Sequence, residues 1–377
     1  MLASALVGIA IVALISGGVV FSNSSFAQGL FSDNGTETLE HSEGHEVIDS
    51  VGRTVTLPLK PHTIAALDAF SGNMCVLAGA GEQLVGAPGG VLSNKLLAKL
   101  YPDLATLEQL SGDSINVEQL LADEVEVALV RKGLYDSESE VAKLDKLDIP
   151  YIVVDYTTIE DQIEAIRLVG AVCGDEAELR ANSIADYYAD TVTMVEKRAT
   201  EISKADRKSI YHSINDPLLT SGKDSLGSDW ISRVGVINVA AQENGVGAAG
   251  DFTATIEQIY VWNPDAIITG TATAKDEISK SEKWQGLPAV TSGDVYSLPI
   301  STSRWGQRGD PETFFAMLWL GIKLYPATYS DIDLEKTVVG YYRDVIGLEI
   351  DHETWEAIVA SKDIRSAGTG GKGTGNR

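Results

Sequence analysis

The chain is 377 residues long, 44% hydrophobic and 22% charged, with a formal net charge of −25 at pH 7. That length accommodates two domains of ordinary size, and that composition excludes a membrane-embedded bundle. The acidity argues against a nucleic-acid partner, because displacing the counterions of a phosphate backbone requires Lys and Arg.

In chain order, the first element is "LASALVGIAIVALISGGVVF", residues 2–21, an uncharged run of 20 residues. It is long enough to cross a bilayer as a helix and reads as an export signal or a membrane anchor. No Lys or Arg precedes it, which counts against a simple signal peptide, whereas "SFA" at residues 25–27 offers small residues where a peptidase cuts. No Cys follows it, which argues against a lipid anchor. Residues 1–27 are assigned to this signal or anchor, and residues 28–46, polar and poor in large apolar side chains, to a tether. The folded part is thereby placed outside the cell, at its surface or in a periplasm.

From residue 47 the pattern alternates strand and helix. "RTVTLP", "TIAALD", "QLVGAP", "VEVALV" and "YIVVDY" are short apolar or β-branched runs, separated by helical segments near 70–80, 93–101, 116–122 and 138–147. This is the rhythm of an α/β lobe with a largely parallel sheet, assigned to 47–174. A second such lobe, 205–361, carries "SIYHSI", "VINVAA", "DAIITG" and "DVYSLPI", with helices near 228–234, 255–262 and 311–324. Between them Asp175 and Glu178 read as a capping-box-like start, and no Pro or Gly interrupts the chain to about Ser203. A helix over 175–204 is therefore expected, a strut of about 40 Å at 1.5 Å per residue. Residues 362–377, Gly-rich, read as a flexible tail.

One phrase occurs twice. "NVEQLLADEVEVALV" begins at Asn116 and "TIEQIYVWNPDAIIT" at Thr255, with Glu118 and Glu257 equivalent at an offset of 139 residues. Two similar lobes explain the echo. Cys75 and Cys173 are too few for a disulfide framework; they read as buried small hydrophobes, with their pairing left open.

"VIDSVGRTVTLPLKPHTIAAL" resembles the opening of the substrate-binding proteins of ABC importers for ferric siderophores, haem and cobalamin, whose first lobe starts with an Asp-x-x-Gly-Arg-x-Val-x-Leu-Pro strand pair, here residues 49–58. Further similar segments follow in order, among them "VLAGAGEQLVGAP", "LDIPYIVVDY", "DPLLTSGKDSLGSDWISRVGVINVA" and "MLWLGIKLYP", so that the resemblance runs from about Val47 to Gly347. It implies two Rossmann-like lobes joined by a single long backbone helix, with a ligand cleft between them. It also implies that Glu118 and Glu257, one per lobe, dock against arginines of the membrane permease. Two separated carboxylates give a two-point electrostatic register; the plainer reading is that each sits in a first helical turn and complements the dipole.

The cleft should be lined by loops at strand ends. Those loops nominate Phe70, Ser71 and Asn73 in "DAFSGN", Arg131 and Tyr135 in "RKGLY", His212 in "YHSIND", Trp230 in "TSGKDSLGSDW", and Arg304, Trp305 and Arg308 in "STSRWGQRGDP". The last set suits stacking on a planar group while pairing with carboxylate or phosphate. An alternative is a solvated turn whose Trp closes the core.

Enzymatic signatures are missing. "TSGKDS" and "GGKGTG" lack the Ser or Thr that a phosphate loop needs after Gly-Lys, and no Gly-x-Ser-x-Gly elbow occurs. Of five histidines, His41 and His45 could share a metal but fall in or beside the tether; His62 and His212 are isolated. No metal site and no cofactor are assigned. The expectation is a non-enzymatic extracytoplasmic protein that captures a metal chelate, a ferric siderophore first, and delivers it to an ABC permease. Cobalamin or another corrinoid is second and haem third, with Tyr135 or His212 as axial candidates. A tethered receptor without transport is the alternative of a different class, and a chelatase on the same architecture a third.

Overall fold

The computed structural model describes residues 44–362 apart from 112 and 246–248. The apolar run at 2–21, the tether up to residue 43 with His41, and the tail from 363 lie outside the described residues. Among the described residues no helix is long and apolar enough to cross a membrane.

An antiparallel pair, β1 (His45–Ile48) and β2 (Thr54–Leu57), leads into a parallel sheet of β3 (Ile64–Ala66), β4 (Leu84–Ala87), β5 (Glu108–Gln109), β6 (Val127–Arg131) and β7 (Tyr151–Val154), in the order β5-β4-β3-β6-β7. A second sheet holds β8 (Ser209–Ser213), β9 (Leu219–Ser221), β10 (Ile237–Asn238), β11 (Asp251–Thr253), β12 (Ala266–Thr269) and β13 (Val295–Ser297). There β8 lies parallel to β10 and β12, and β12 to β13, while β9 and β11 add an antiparallel edge. The run β4-β3-β6-β7 thus has its counterpart in β10-β8-β12-β13. The echo at 139 residues superposes β6 on β12, the strand beside the first parallel strand of each lobe.

Strand alternation sorts the core into three parts. Ile64, Val127, Leu129, Ile152 and Val154 of the first sheet, and Ile210, Ala266 and Ile268 of the second, join one inner cluster that runs through both lobes. Their neighbours turn the other way: Ala65, Ala128, Val130 and Val153 into an outer cluster of the first lobe, Tyr211 and Ile267 into one of the second. Side chains alternate across a strand, and a parallel sheet is covered on both faces, which is why β6, β7 and β12 are apolar nearly throughout; β8 departs from this with Ser209, His212 and Ser213.

Six helices matter for the site: α1 (Ala69–Leu77), α2 (Val117–Ala122), α3 (Ile159–Cys173), α4 (Asp175–Ala199), α5 (Ile256–Trp262) and α6 (Thr313–Leu324). The linking helix α4 has 25 residues, about 37 Å at 1.5 Å per residue. Its Ala181, Ala185, Tyr188, Val192 and Val195 enter the inner cluster shared by both lobes, so it is packed along one face rather than free-standing.

The Asp49 pattern at the chain entrance has a physical basis. Its carboxylate accepts the backbone N–H groups of Val51 and Arg53 at 3.1 and 2.9 Å, the Arg53 guanidinium at 2.9 and 2.7 Å, and the Val153 N–H at 3.2 Å. Gly52 supplies the φ of +82° that the turn requires. One buried Asp therefore closes the β1–β2 turn and fastens it to β7.

Three local expectations are corrected. Helix α3 is absent from the sequence reading, and the capping box belongs to it: the Thr158 hydroxyl accepts the Asp161 N–H while Asp161 reaches back. Helix α4 instead follows Gly174 with no side-chain cap, Asp175 and Glu178 lying in its first turn. It ends at Ala199, beyond which Ser203 and Asp206 bond each other at 2.6 Å, a local bond that competes with helix. The helix expected over 93–101 is two single turns, 89–92 and 97–100. Asn94 divides them by accepting the Leu96 and Leu97 N–H groups at 2.9 and 3.0 Å.

Helices α3 and α4 meet closely at Gly170, where an added Cβ would stand 2.3 Å from the Ala181 Cβ. Gly170→Val is expected to cost about 1–3 kcal/mol, the range for overpacking a filled core. Urea unfolding measures it, and an unchanged midpoint would contradict the packing.

Candidate functional site

The carboxyl ends of the parallel strands of both lobes face a cleft, the usual place for a ligand in open α/β sheets. A cavity of ≈ 250 Å³ lies there, with Leu67 and Asp68 after β3, Arg131 at the end of β6, Val154 and Tyr156 at the end of β7, and Arg308 and Gly309 from the loop between β13 and α6. An adjoining cavity of ≈ 150 Å³ belongs to the second lobe. It is bounded by His212 of β8, Asn215, Ser221 of β9, Asp251 of β11, Gln307 and again Arg308. Arg308 is the residue the two cavities share. A larger cavity of ≈ 620 Å³ lies elsewhere, between Tyr296, Trp319 and Trp355, and has no arginine in its wall.

The two guanidiniums come from opposite lobes. Arg131 donates to the carboxylate of Asp113, with the pair open to solvent at 46% and 82% exposure. Arg308 donates to Asp155 at 2.9 Å and lies 5.6 Å from the Tyr156 ring centroid. Asp68 caps α1, accepting the Ser71 N–H at 3.0 Å and the Ser71 hydroxyl at 2.5 Å. Burial raises its pKa, opposed by those bonds and by the Arg131 charge.

In the second-lobe cavity, burial pushes Asp251 up to about 6 against the pull of Arg308. Burial also lowers His212 to about 4, so its imidazole is neutral at ordinary pH. Its Nδ1 lies 3.2 Å from the Ser221 hydroxyl.

The loop from 301 to 312 is held from both sides. The Asn73 amide donates to the Gly309 carbonyl at 2.8 Å, Asn94 to Ser301 and Thr302 at 3.0 and 2.9 Å, and Gln162 to Asp310 at 2.8 Å. From the second lobe, the Trp230 indole donates to the Gly306 carbonyl at 2.9 Å. Gly306, at φ +74°, has the ring so close that a Cβ would come within 2.8 Å of it. Beneath the loop Glu312 accepts the Ser301 and Thr302 hydroxyls at 2.5 and 2.7 Å. Burial raises both Asp310 and Glu312, and for Asp310 the Glu312 charge adds to it.

Of the ten residues nominated from sequence, Arg131, Arg308 and His212 line these cavities. The others are placed differently. Trp305 is buried, donates to the Ser301 hydroxyl at 2.7 Å and lies 5.1 Å from Phe315; its ring is a core residue and presents no face to the cleft. Trp230 is likewise core. Phe70 packs on Tyr156 at 4.6 Å, Ser71 completes the cap of α1, and Asn73 is spent on Gly309. Tyr135 stacks with Arg53, 5.0 Å from its ring centroid, and Tyr151, while half-buried Arg304 lines neither cavity. His45 bonds the Ala171 carbonyl at 3.2 Å.

Asp68, Asn215 and Gln307 lie in the nominated loops without being nominated themselves, and Tyr156 falls at the end of an expected strand. Asp113 and Asp251 carry no local signal, since only the fold brings them beside an arginine.

The profile of the periplasmic binding protein family matches residues 64–302. The chain belongs to that family. This binding protein is 27% identical over 331 residues to the molybdate-binding protein MolA of Haemophilus influenzae, covering 79% of this chain and 89% of that one. It is 24% identical over 288 residues to an uncharacterized ABC transporter substrate-binding lipoprotein, YvrC, of Bacillus subtilis, covering 75% and 86%. Its fold is similar to the solved structure of the H. influenzae MolA bound to molybdate, with a TM-score of 0.72 at 22% identity over 81% of this chain and 99% of that one. The family is one of solute-binding proteins working with ABC transporters, which agrees with the non-enzymatic expectation at the level of the family.

Because Trp305 fills the core beneath the loop, Trp305→Ala is expected to lower stability by about 3–5 kcal/mol, the range for truncating a buried aromatic. Denaturant unfolding of the purified variant checks it. Wild-type stability would return the ring to the cleft surface.

Proposed function

We propose that this binding protein is the solute receptor of an ABC importer, exported or held outside the cell by residues 1–27, and that its solute is a compact anionic metal species. The observation that carries the reading is the pair of guanidiniums, Arg131 and Arg308, lining one cavity from the two lobes. Guanidinium groups bind oxyanions through paired N–H donors. The exposed Arg131–Asp113 pair is worth only about 0–1 kcal/mol, so an incoming anion displaces Asp113 at small cost.

At ≈ 250 Å³ the cavity is below the roughly 300–1,000 Å³ usual for drug-sized ligands. That favours an oxometalate, the solute class named for the H. influenzae relative, over a corrinoid or haem. An anionic ferric chelate is the second reading, favoured by the second-lobe cavity that shares Arg308 and extends the site.

Calorimetric titration of the full-length protein in detergent, with molybdate, a ferric catecholate, a ferric hydroxamate and cyanocobalamin, tests the class. Arg308→Ala is expected to weaken the anion that binds by about 10- to 100-fold, the worth of a charge-assisted hydrogen bond. The pH dependence has a definite sign. Asp251, raised to about 6, loses its negative charge as pH falls from 7.5 to 5.5, so an anion binds more tightly at the lower pH and Asp251→Asn flattens the slope. A cation would show the reverse slope and overturn the proposal.

For docking, Glu118 and Glu257 are both exposed, in the first turns of α2 and α5. Asn116 caps the Gln119 N–H and Thr255 the Gln258 N–H. One turn on, Leu121, Tyr260 and Val261 are exposed at 55%, 39% and 84%. Each lobe therefore offers a carboxylate beside an apolar side chain, a repeated surface that fits a permease of two like subunits. Glu118→Lys with Glu257→Lys is expected to leave solute affinity within about twofold while abolishing solute-stimulated ATP hydrolysis by the reconstituted importer. Normal stimulation by the double variant would remove the docking role of the two carboxylates.

A further inference from the structure

We propose that Cys75 and Cys173 are a disulfide-forming pair that staples α1 to the C-terminal end of α3, closed by exchange with a small-molecule disulfide arriving through a surface cavity. These are the chain's two cysteines, and folding brings their sulfurs to 3.7 Å across 98 residues of sequence. Both are free thiols at 0% and 1% exposure. A disulfide spans about 2.05 Å, so side-chain rotation with a slight approach of the two helices closes the gap.

Burial alone does not account for this placement. Cys173 also forms part of the wall of a ≈ 350 Å³ cavity with Lys60, Gln83, Gly174 and Asp175, and Cys75 does not, so Cys173 is the outer residue of the pair and Cys75 the inner one. Hydrogen bonding to Cys173, together with burial, raises the Cys75 thiol well above its ordinary range; Cys173, the one of the two that lines the cavity, is placed to meet an incoming disulfide first.

The exchange balances in two steps. The Cys173 thiolate attacks one sulfur of the external disulfide, forming a mixed disulfide and expelling one thiol. Cys75 then gives up its proton and attacks the Cys173 sulfur, forming the protein disulfide and expelling the second thiol. The protein loses two protons and two electrons, and the external disulfide takes them up to become two thiols.

The staple would sit where Gly174, at φ +100°, turns the chain from α3 into α4. It ties that corner to the helix whose first residues floor the cleft. Cys75 lies seven positions beyond Asp68, about 10 Å along the helix axis, so closure leaves the cleft side chains in place. The inference is independent of which solute binds, and a compartment outside the cytoplasm supplies the oxidising conditions that such bonds need.

The test incubates native full-length protein with oxidised glutathione, followed by intact mass and peptide mapping without reduction. The expected result is a loss of two hydrogens, a 75–173 linked peptide, and a Tm higher by on the order of 5 °C or more than that of the reduced form, since the bond closes a long loop in the unfolded chain. Cys75→Ala is expected to trap a glutathione adduct on Cys173, and Cys173→Ala to leave Cys75 unmodified. Two free thiols persisting in the native protein, while the urea-unfolded chain reacts, would overturn the proposal. So would equal modification of the two single-cysteine variants. Should a variant fail to fold, the mapping of the unsubstituted protein decides alone.

Discussion

The structure depends on one constraint: the loop from 301 to 312 carries backbone carbonyls that are out of water and must find donors. An unpaired buried carbonyl costs about as much as a lost hydrogen bond, of order 1–3 kcal/mol. The first lobe supplies those donors as side-chain amides. Asn73, Asn94 and Gln162 reach Gly309, Ser301, Thr302 and Asp310, and Gln162 is itself oriented by the Tyr188 hydroxyl of the linking helix at 2.6 Å. Each lobe completes the other's polar groups, and Arg308 is aimed into the cleft because the residues on either side of it are held.

The same constraint bears on motion. The lobes share an inner apolar cluster and a buried amide network as well as helix α4. At the far edge Arg233 bonds Glu160, Glu196 and Asp229 while the Ile159 N–H donates to Asp229 at 2.8 Å. Wide hinge opening would expose all of these together. A receptor built this way exchanges ligand by rearranging side chains at the cleft mouth and by modest lobe movement, and the exposed Arg131–Asp113 pair is the kind of contact that rearranges without disturbing the core.

Fold class and lobe order were legible because both are written in local patterns. Short apolar runs separated by helical segments announce parallel strands, and the echo at 139 residues announces a second lobe of the same plan. The break at Gly174 was legible, since the linking helix is expected from Asp175; helix α3 before it escaped although its Thr158–Asp161 capping box is a local signal. The one-turn helices around Asn94 escaped because a lone Asn in a helical stretch gives no sign that its amide is needed 207 residues away.

By itself the sequence determined the α/β alternation, the linking helix, the capped turns bearing Glu118 and Glu257, and the loops that reach the cleft, all of which follow from periodicity and capping over a few residues. The tertiary structure alone decided which side chain of each loop faces the cleft. Trp305 and Arg308 are three positions apart in the same loop, yet the Gly306 and Gly309 turns, with φ of +74° and +94°, send one into the core and the other to the cavity. It also set the charge environment of the site, because Asp113 beside Arg131 and Asp251 near Arg308 are pairings across distant segments. Such neighbours fix whether a cavity suits an anion or a cation, and no spacing along the chain encodes them.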